Sequence, residues 1–363
     1  MKFVTEYIRK DYLFIAVVVL SALLFFVNLG SPQIERWDEL TNVQVVEASS
    51  GLNLKLNNEP FLEKPPIWYL TTSIFRDVIG DSATVYRLVS AISGFLSSIL
   101  IFLLVEKNIN KNAGLWSALA FLSFSQLFVA NIGDYFSSHT LRSADLDSLQ
   151  LLLLLVAVFI WQRKISNYFV SVLHLVAYLT KGPLAIYILL VVAVLDYRRS
   201  ASLNSLIKII IPFVLGLLIY FAFMMSLFGE VFTEQFLIYH QGMRVLQPLE
   251  GHSEPNYFYL EILFDPLINP QITILVPILL LRRKIMSKNL LLILFSAFYL
   301  LALSVAGTKL AWYIIPLYYP LAALLGQAVS IDGKNIWQTS LSMVLKVFVL
   351  VGIFGNLLFV LRL

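Results

Sequence analysis

The chain has 363 residues, of which 59% are hydrophobic and 13% are charged, and its mean hydropathy is +0.82. A soluble domain carries about 25% charged residues, so this composition excludes a water-facing globule and predicts an integral membrane protein. The net charge of +4 comes from basic residues scattered between apolar runs, which argues against nucleic acid as a partner. The lack of cysteine excludes disulfides and thiolate chemistry.

Apolar runs suited to membrane-spanning helices recur along the whole sequence, and they predict an all-α fold. The first run lacks a small-residue cleavage site, so we expect a retained helix rather than a signal peptide. We expect one transmembrane domain over residues 1–363, without a separate soluble C-terminal domain. The pattern predicts about eleven spans, at Tyr12–Leu29, Val85–Val105, Ala113–Ala130, Leu149–Trp161, Tyr168–Leu179, Leu184–Leu195, Ile209–Phe228, Ile272–Leu281, Leu290–Val305, Trp312–Val329 and Met343–Leu361.

The connecting loops alternate between a short, basic kind and a longer kind with mixed polar and aromatic residues. Short basic loops face the cytoplasm in membrane proteins, so the sequence predicts a multi-pass inner-membrane protein whose long loops face outside. Functional residues concentrate in loops that a rigid scaffold positions. The predicted inner basic residues are Lys2, Arg9, Lys10, Lys107, Lys111, Arg163, Lys164, Arg198, Arg199, Arg282, Arg283, Lys284, Lys288 and Lys334.

The first outer loop contains an acidic pair, Asp38 and Glu39, at the start of a helical pattern over 40–50. One interpretation makes the acids a helix cap exposed to water. The other makes them carboxylates held beside the membrane, where one takes a proton from an acceptor hydroxyl or amine. The apolar and aromatic content of this loop also predicts helices lying in the membrane interface.

Lys64 lies in the same loop and is followed by two prolines that fix its backbone direction. It fits either a lysine that anchors a helix end at the membrane edge or a cation for a phosphate at headgroup depth.

In the second outer loop, Asp147 directly precedes a run of leucines. An acid there is either a helix N-cap or a functional group, because an unpaired charge at the bilayer boundary is costly.

The largest outer loop holds His240 and Arg244, four residues apart, which an α-helix would place on one face. Arginine suits a bidentate grip on phosphate, whereas a single histidine is more often structural than a metal ligand. Tyr257 and Tyr259 follow, and they are also consistent with an ordinary aromatic belt. If the outward basic residues converge, they form a cationic pocket at headgroup depth; these residues are Lys64, Arg142, Lys181, Arg244 and Lys309.

Several of these motifs occur together in one order. In chain order they are Asp38-Glu39, Glu63-Lys64-Pro65-Pro66, Gly80 to Arg87, Arg142-Ser143-Ala144-Asp145-Leu146-Asp147, Leu179-Thr180-Lys181-Gly182-Pro183, His240 with Arg244, His252 to Tyr259, and Lys309 to Pro316. At these residues the chain resembles the GT-C glycosyltransferases, in particular the branch that contains the bacterial transferase of aminoarabinose to lipid A and the protein O-mannosyltransferases.

The resemblance implies an inverting transfer of a sugar from a polyprenyl-phosphate carrier to a lipid, glycan or protein acceptor. It implies a catalytic group of Asp38, Glu39 and Asp147, in which Asp38 deprotonates or polarises the acceptor. Asp147 would support the acceptor, a metal or Arg142. The residues implied in binding the donor phosphate are Lys64, Arg244, Lys309, Tyr257, Tyr259, Tyr313 and Arg142.

The resemblance requires no metal, but Glu63 with His240 is implied as the site of a divalent cation if one is bound. Two features depart from the family pattern. The sequence stops after its last span, at Leu361-Arg362-Leu363, so we expect it to lack the soluble outer domain of larger relatives. The spacing of His240 and Arg244 only approximates that of the family, which weakens the metal hypothesis.

Two other classes of protein fit the composition. A transporter or flippase of a lipid-linked substrate would also carry many spans and outward cations, but transporters place polar residues at the middle of their spans. A scaffold subunit of an envelope complex would not need Asp38 or Lys64. Convergence of Asp38, Lys64 and Arg244 on one cavity would favour the enzyme over both.

Overall fold

The computed structural model describes residues 12–35, 37–281, 285, 289–330 and 336–362. It is an all-α integral membrane protein, as the sequence predicts, and a helical segment coincides with each predicted apolar run. The helices are α1 Tyr12–Phe26, α2 Asp38–Ala48, α3 Ile67–Ile79, α4 Ala83–Asn108, α5 Lys111–Ser123, α6 Asp147–Gln162, α7 Asn167–Lys181, α8 Leu184–Ser200, α9 Leu203–Phe228, α10 Glu230–Phe232, α11 Arg244–Leu246, α12 Phe258–Phe264, α13 Pro270–Leu281, α14 Leu290–Val305, α15 Tyr318–Ser330 and α16 Ile336–Arg362.

Length and composition alone allow four helical stretches in the described residues to cross a membrane. They are Ala83–Asn108, Leu203–Phe228, Ala311–Ser330 and Ile336–Arg362. The third of these combines α15 with a preceding 3₁₀ helix at Ala311–Leu317. The other apolar helices are shorter than the ~20 residues of a full span, so the number eleven stays a prediction.

Small residues let the central helices approach closely. A Cβ atom added at Gly326 of α15 would lie 2.0 Å from Ser117 Oγ of α5, and one at Gly94 of α4 would lie 2.3 Å from the Phe25 ring. Close backbone approach of this kind is how helices associate in membranes, where lipid removes the hydrophobic drive between them. Buried polar groups pair across helices as well, for example Asn289 Nδ2 with Gln327 Oε1 at 2.7 Å.

The segment predicted as the first outer loop contains two helices, α2 and α3, and their placement in the membrane interface stays a prediction. Between them lies a two-stranded antiparallel hairpin, β1 Lys55–Leu56 and β2 Glu59–Pro60, which the all-α prediction omitted. Asn57 and Asn58 form its turn with φ of 52° and 66°. Asparagine tolerates the left-handed conformation that a two-residue hairpin turn requires, so the turn sequence accounts for the hairpin.

The largest outer loop contains a π-helix at Thr233–Met243, which continues directly into α11. The sequence analysis noted that an α-helix would place His240 and Arg244 on one face, but the segment that holds His240 is a π-helix, which ends at the residue before Arg244. They contact different partners in the structure. The inner basic residues at 2, 9, 10, 282–284, 288 and 334 lie outside the described residues.

Candidate active site

Asp38 is the first residue of α2, and its carboxylate contacts two cations. Oδ2 lies 2.7 Å from His139 Nε2, and Oδ1 lies 3.5 Å from Lys64 Nζ. The N-cap position of α2 is Trp37, so the helix-cap interpretation of Asp38 is wrong. The Asp38 side chain is 37% exposed, which leaves the carboxylate accessible to a second molecule.

His139 lies at the centre of the site, and the sequence analysis did not select it. Its side chain is only 2% exposed. Nδ1 lies 2.7 Å from Asp147 Oδ2 and 2.8 Å from Asp145 Oδ2, on the ring edge away from Asp38. The ring also stacks on Trp312, with centroids 4.2 Å apart. The histidine is therefore fixed in position on both edges and on one face.

The electrostatics of this contact keep both partners ionised. Burial alone would lower the pKa of His139, but the charges of Asp145 and Asp147 raise it to about 10. Burial would likewise raise the pKa of Asp38, but Lys64 and His139 outweigh it and hold that pKa well below its usual range. A protonated His139 donates from both nitrogens, so it fixes the Asp38 carboxylate as an acceptor.

Local hydrogen bonds shape the loop that carries His139. Thr140 Oγ1 accepts from the backbone N–H groups of Arg142 and Ser143, both at 3.1 Å, and Ser143 Oγ donates to the Thr140 carbonyl at 2.9 Å. Asn131 Oδ1 accepts from Ser137 N–H at 2.8 Å on the other side of the histidine. Serine, threonine and asparagine side chains favour such local turns, so the polar sequence here builds a rigid loop.

Asp147 and Lys181 close the other side of the site. Asp147 begins α6 after Leu146, which occupies the N-cap position, and its Oδ2 accepts from Lys181 Nζ at the end of α7. Gly182 follows with φ of 114°, which permits the chain to turn away directly after the lysine. Positive and negative side chains thus alternate across a charge network that comprises Lys64, Asp38, His139, Asp147 and Lys181, with Asp145 beside it.

Lys64 precedes α3, where Pro66 is the N-cap residue. Its Nζ atom also lies 3.4 Å from Asn42 Oδ1, which accepts a 2.7 Å hydrogen bond from Tyr69. Burial would lower the pKa of Lys64, but the Asp38 carboxylate raises it above its ordinary value, so the ammonium stays charged. The lysine is therefore directed at Asp38 rather than at open water.

Arg244 approaches the site from a separate element, α11. Its guanidinium lies 3.1 Å from Glu250 Oε1 and 3.4 Å from Tyr313 Oη. The Tyr313 ring also faces Lys181, with Nζ 5.9 Å from its centroid, so the tyrosine connects the arginine to the charge network. We call Arg244, Glu250 and Tyr313 the arginine group. Glu250 is 46% exposed, and its ion pair with Arg244 is open to solvent.

The backbone of the last outer loop holds the arginine group in place. Thr308 N–H donates to the Arg244 carbonyl and Gly307 N–H to the Val245 carbonyl, both at 2.9 Å. A Cβ atom at Gly307 would lie 2.4 Å from the backbone of Gln247. Only glycine fits at position 307 without moving this segment, which explains the residue type there.

Other predicted donor-binding residues support these loops. Lys309 is 5% exposed, and its Nζ donates to the Ala306 carbonyl at 2.8 Å. Tyr259 is fully buried, and its hydroxyl accepts from Leu310 N–H at 3.0 Å. Tyr257, in contrast, is 56% exposed. Lys309 N–H also donates to the His252 carbonyl at 3.3 Å, so Lys309 and Tyr259 both fasten the loop that carries Tyr313 to neighbouring segments.

Glu39 is separated from Asp38 although the two are adjacent in sequence. Its carboxylate forms a bidentate pair with Arg87 at 2.7 and 2.8 Å and accepts from Ala144 and Glu35 N–H at 2.7 and 2.8 Å. These four bonds occupy both oxygens of a buried side chain, an arrangement that favours a structural function.

Arg142 lies with this buried pair rather than with the charge network. Its Nη2 donates to the carbonyl of Val27, the residue after α1, at 2.5 Å. Burial and the nearby Arg87 lower its pKa to about 10. Of the five outward cations, Lys64 and Lys181 therefore meet in the charge network, Arg244 approaches through Tyr313, and Lys309 and Arg142 have structural contacts.

Two groups of residues could hold a divalent cation. Glu63 Oε2 lies 3.4 Å from His240 Nε2, and the hydrogen bond to His240 lowers the pKa of Glu63. Asp38, His139 and Asp145 offer ligand atoms within 4.8 Å of one another, the one set of three such residues in the described ranges. In this part of the site Lys64 and Lys181 also contact carboxylates, namely those of Asp38 and Asp147.

The chain is a polytopic protein whose fold resembles that of the GT-C glycosyltransferases, in particular the branch that contains ArnT and the protein O-mannosyltransferases. The family described as dolichyl-phosphate-mannose-protein mannosyltransferase matches residues 63–228. An uncharacterised protein of Aquifex aeolicus is 28% identical over 269 residues, which cover 73% of this chain and 59% of that protein.

Two solved structures share the fold. ArnT from Cupriavidus metallidurans, bound to undecaprenyl phosphate, superposes with a TM-score of 0.72 at 18% identity, over 89% of this chain and 61% of that one. The oligosaccharyltransferase AglB from Archaeoglobus fulgidus, in complex with an inhibitory peptide and a dolichol-phosphate, gives 0.53 at 13% identity, over 96% and 56%. The chain thus spans about three fifths of the length of these relatives.

Proposed function

We propose that this chain is an inverting glycosyltransferase that takes a sugar from a polyprenyl-phosphate carrier at the outer face of the membrane. The observation that carries the proposal is the placement of Asp38. Its carboxylate is ionised, partly exposed and fixed by His139, beside a lysine and within reach of a second cationic group. The fold shared with proteins crystallised with undecaprenyl phosphate and dolichol-phosphate supports the choice of donor.

In the proposed reaction, the acceptor hydroxyl or amine gives its proton to Asp38 Oδ1 as its lone pair attacks the anomeric carbon of the donor. The bond between that carbon and the phosphate oxygen breaks, and the electron pair leaves with the polyprenyl phosphate. Lys64 and Arg244 neutralise the charge that develops on the phosphate. His139 is a positioning residue, because it holds the other Asp38 oxygen in a fixed direction.

Lys64 connects donor binding to the strength of the base. Without donor, its ammonium lies 3.5 Å from Asp38 and depresses the pKa of that carboxyl. A carboxylate with a depressed pKa is a weak base. When a donor phosphate shares the ammonium, the depression decreases, so Asp38 becomes more basic once the donor is in place.

The charge distribution supports an outer site. Asp147 and Lys181 belong to the site, and they lie at the ends of α6 and α7 opposite to the basic residues Arg163 and Lys164. Basic helix ends face the cytoplasm in multi-pass proteins, which directs Asp38 outward. We therefore extend the proposal to the inner membrane, with the active site on its outer side.

Bond cleavage distinguishes this function from a transporter or flippase of the same lipid. The purified chain in proteoliposomes would receive a polyprenyl-phosphate donor with a radiolabelled sugar, together with an envelope extract that supplies acceptors. We expect free polyprenyl phosphate and label on a second molecule. Intact donor that only changes leaflet would instead identify a flippase, and no change of the donor with any sugar tested would reject both.

A further inference from the structure

A second charged region lies at the other end of the helices that carry the active site. Two adjacent cavities of about 560 and 470 Å³ share Trp161, Lys164 and Arg199 among their lining residues. α6 and α7 run between this region and the site, since Asp147 begins α6 and Lys181 ends α7. The 16 residues of α6 separate the two regions by about 24 Å at 1.5 Å per residue.

Cations from three helices and one loop line this inner cleft. They are Lys107 of α4, Arg163 and Lys164 after α6, Arg199 of α8 and Lys208 of α9. Basic loops that only orient the protein do not need to share a cavity, so the orientation rule alone does not explain the arrangement.

The acid among the residues lining the cleft does not balance these charges. Asp196 is 7% exposed. Its Oδ1 accepts from Trp161 Nε1 at 2.9 Å, and its Oδ2 accepts from Ser205 Oγ. Both carboxylate oxygens are thus engaged in holding the wall of the cleft. The cleft keeps an excess of positive charge and fits an anion.

The neighbouring surface indicates which anion. Ile165 and Phe169 are 62% and 61% exposed beside the cleft, and Tyr168 and Trp161 face Lys208 and Arg199 at 5.8 Å from ring centroid to cation. Aromatic residues of this kind mark the membrane interface. An anionic group that enters the cleft would therefore adjoin apolar surface suited to acyl chains.

We propose that the inner cleft binds the phosphate headgroup of an anionic phospholipid of the leaflet opposite the active site. The headgroup phosphate pairs with Arg199, Lys208 and Lys164, and the acyl chains lie along the exposed apolar side of α7. Serine and asparagine side chains that line the cleft, such as Ser202 and Asn204, offer hydrogen bonds to a glycerol headgroup.

The test is lipid binding by the purified full-length chain in detergent, followed by native mass spectrometry. Phosphatidylglycerol and phosphatidylcholine would be titrated separately, because they share acyl chains and differ in charge. Each basic residue near an anionic lipid surface contributes about a factor of five in affinity, so Arg199→Gln with Lys208→Gln should weaken phosphatidylglycerol binding by about 25-fold.

The control variant Lys55→Gln with Lys346→Gln removes the same charge elsewhere and should bind normally. The proposal would be overturned if the wild type bound phosphatidylcholine as tightly as phosphatidylglycerol. It would also be overturned if the control variant lost as much affinity for phosphatidylglycerol as the cleft variant. Displacement of the lipid by millimolar inorganic phosphate would also overturn it, since the cleft would then bind a soluble anion. If the first variant does not fold in a thermal melt, Lys107→Gln with Lys164→Gln would replace it under the same criteria.

Discussion

The charge network and the arginine group differ in how their charges are held. In the network, His139 is 2% exposed and contacts three carboxylates, so each acid has a fixed partner. In the arginine group, Arg244 holds Glu250, which is 46% exposed, at 3.1 Å. A proton acceptor needs a constant position, whereas a phosphate grip must open and close for each donor. The charge network, with its fixed geometry, therefore suits the proposed proton transfer. The arginine group, with its exchangeable ion pair, suits the proposed binding of the donor phosphate.

The largest loss of activity should come from a substitution in the charge network. Asp38→Asn keeps the shape of the side chain but cannot accept a proton, so turnover at saturating donor should fall by about 10² to 10⁴. Donor affinity and the thermal melt should change little. Asp77→Asn is the matched control, because Asp77 is a 64% exposed acid whose described partner is the adjacent Arg76. Near-normal turnover of Asp38→Asn would remove this residue from the reaction.

His139→Gln tests the positioning function. Glutamine cannot donate toward Asp38 and Asp147 at the same time in the geometry of the ring, and a displacement of about 1 Å can cost about 10² in rate. We expect a loss of that order in kcat with a smaller change in the KM for donor. A variant that changes KM alone would place the histidine in substrate binding instead.

The same residue gives a pH dependence. The pKa of His139 is about 10 in the folded chain and about 6.5 when unfolded, so the folded chain binds more protons between these values. Its stabilising contribution is complete below about pH 6.5 and is lost as the pH rises toward 10. The difference in melting temperature between the wild type and His139→Gln should therefore shrink over this window. A constant difference would show that the imidazole is neutral in the folded chain.

Lys64→Ala and Arg244→Ala should each weaken donor binding by about ten- to a hundredfold, because a hydrogen bond to a charged group contributes about 1.5–3 kcal/mol. The two variants should differ in one respect. Lys64 is the group that most depresses the pKa of Asp38, so its removal should shift the acidic limb of the pH–rate profile upward by more than Arg244→Ala does. Binding of polyprenyl phosphate to immobilised protein measures the first effect. Unchanged affinity in both variants would exclude them as the phosphate grip.

The smallest change in donor affinity is expected at Glu250, where the direction of the change distinguishes two functions of the residue. An exposed ion pair is worth about 0.2–1 kcal/mol, so removing the competitor of the donor phosphate should tighten donor binding by about two- to fivefold. Glu250→Gln would be compared with Glu254→Gln in the same segment. A loss of affinity would mean that Glu250 positions Arg244 rather than competing for it.

Local sequence patterns predicted the helices well, because spanning helices depend on apolar runs that a short window contains. They also placed Asp38 and Lys64 in one loop, and in the structure the two side chains lie 3.5 Å apart. The hairpin turn at Asn57-Asn58 and the π-helix have weaker local signals, and both were missed. The number of complete spans depends on the position of the bilayer, which hydropathy alone does not provide.

The site residues were harder to predict because their functions depend on distant partners. His139 occurs in an ordinary polar loop, and its nearest sequence signal is the cluster of serine and threonine around it. Nothing local indicates that it meets Asp38, 101 residues away. Glu39 shows the converse: consecutive helix residues point about 100° apart, so it faces Arg87 while Asp38 faces the site.

The sequence separation between Asp38 and His139 has a consequence for biosynthesis. Their 101 residues require about 5–20 s of translation at typical rates, and Lys181 emerges later still. During that interval Asp38 has Lys64 of its own loop as a partner but lacks His139. The environment of His139 is complete only when the much later Trp312 stacks on its ring.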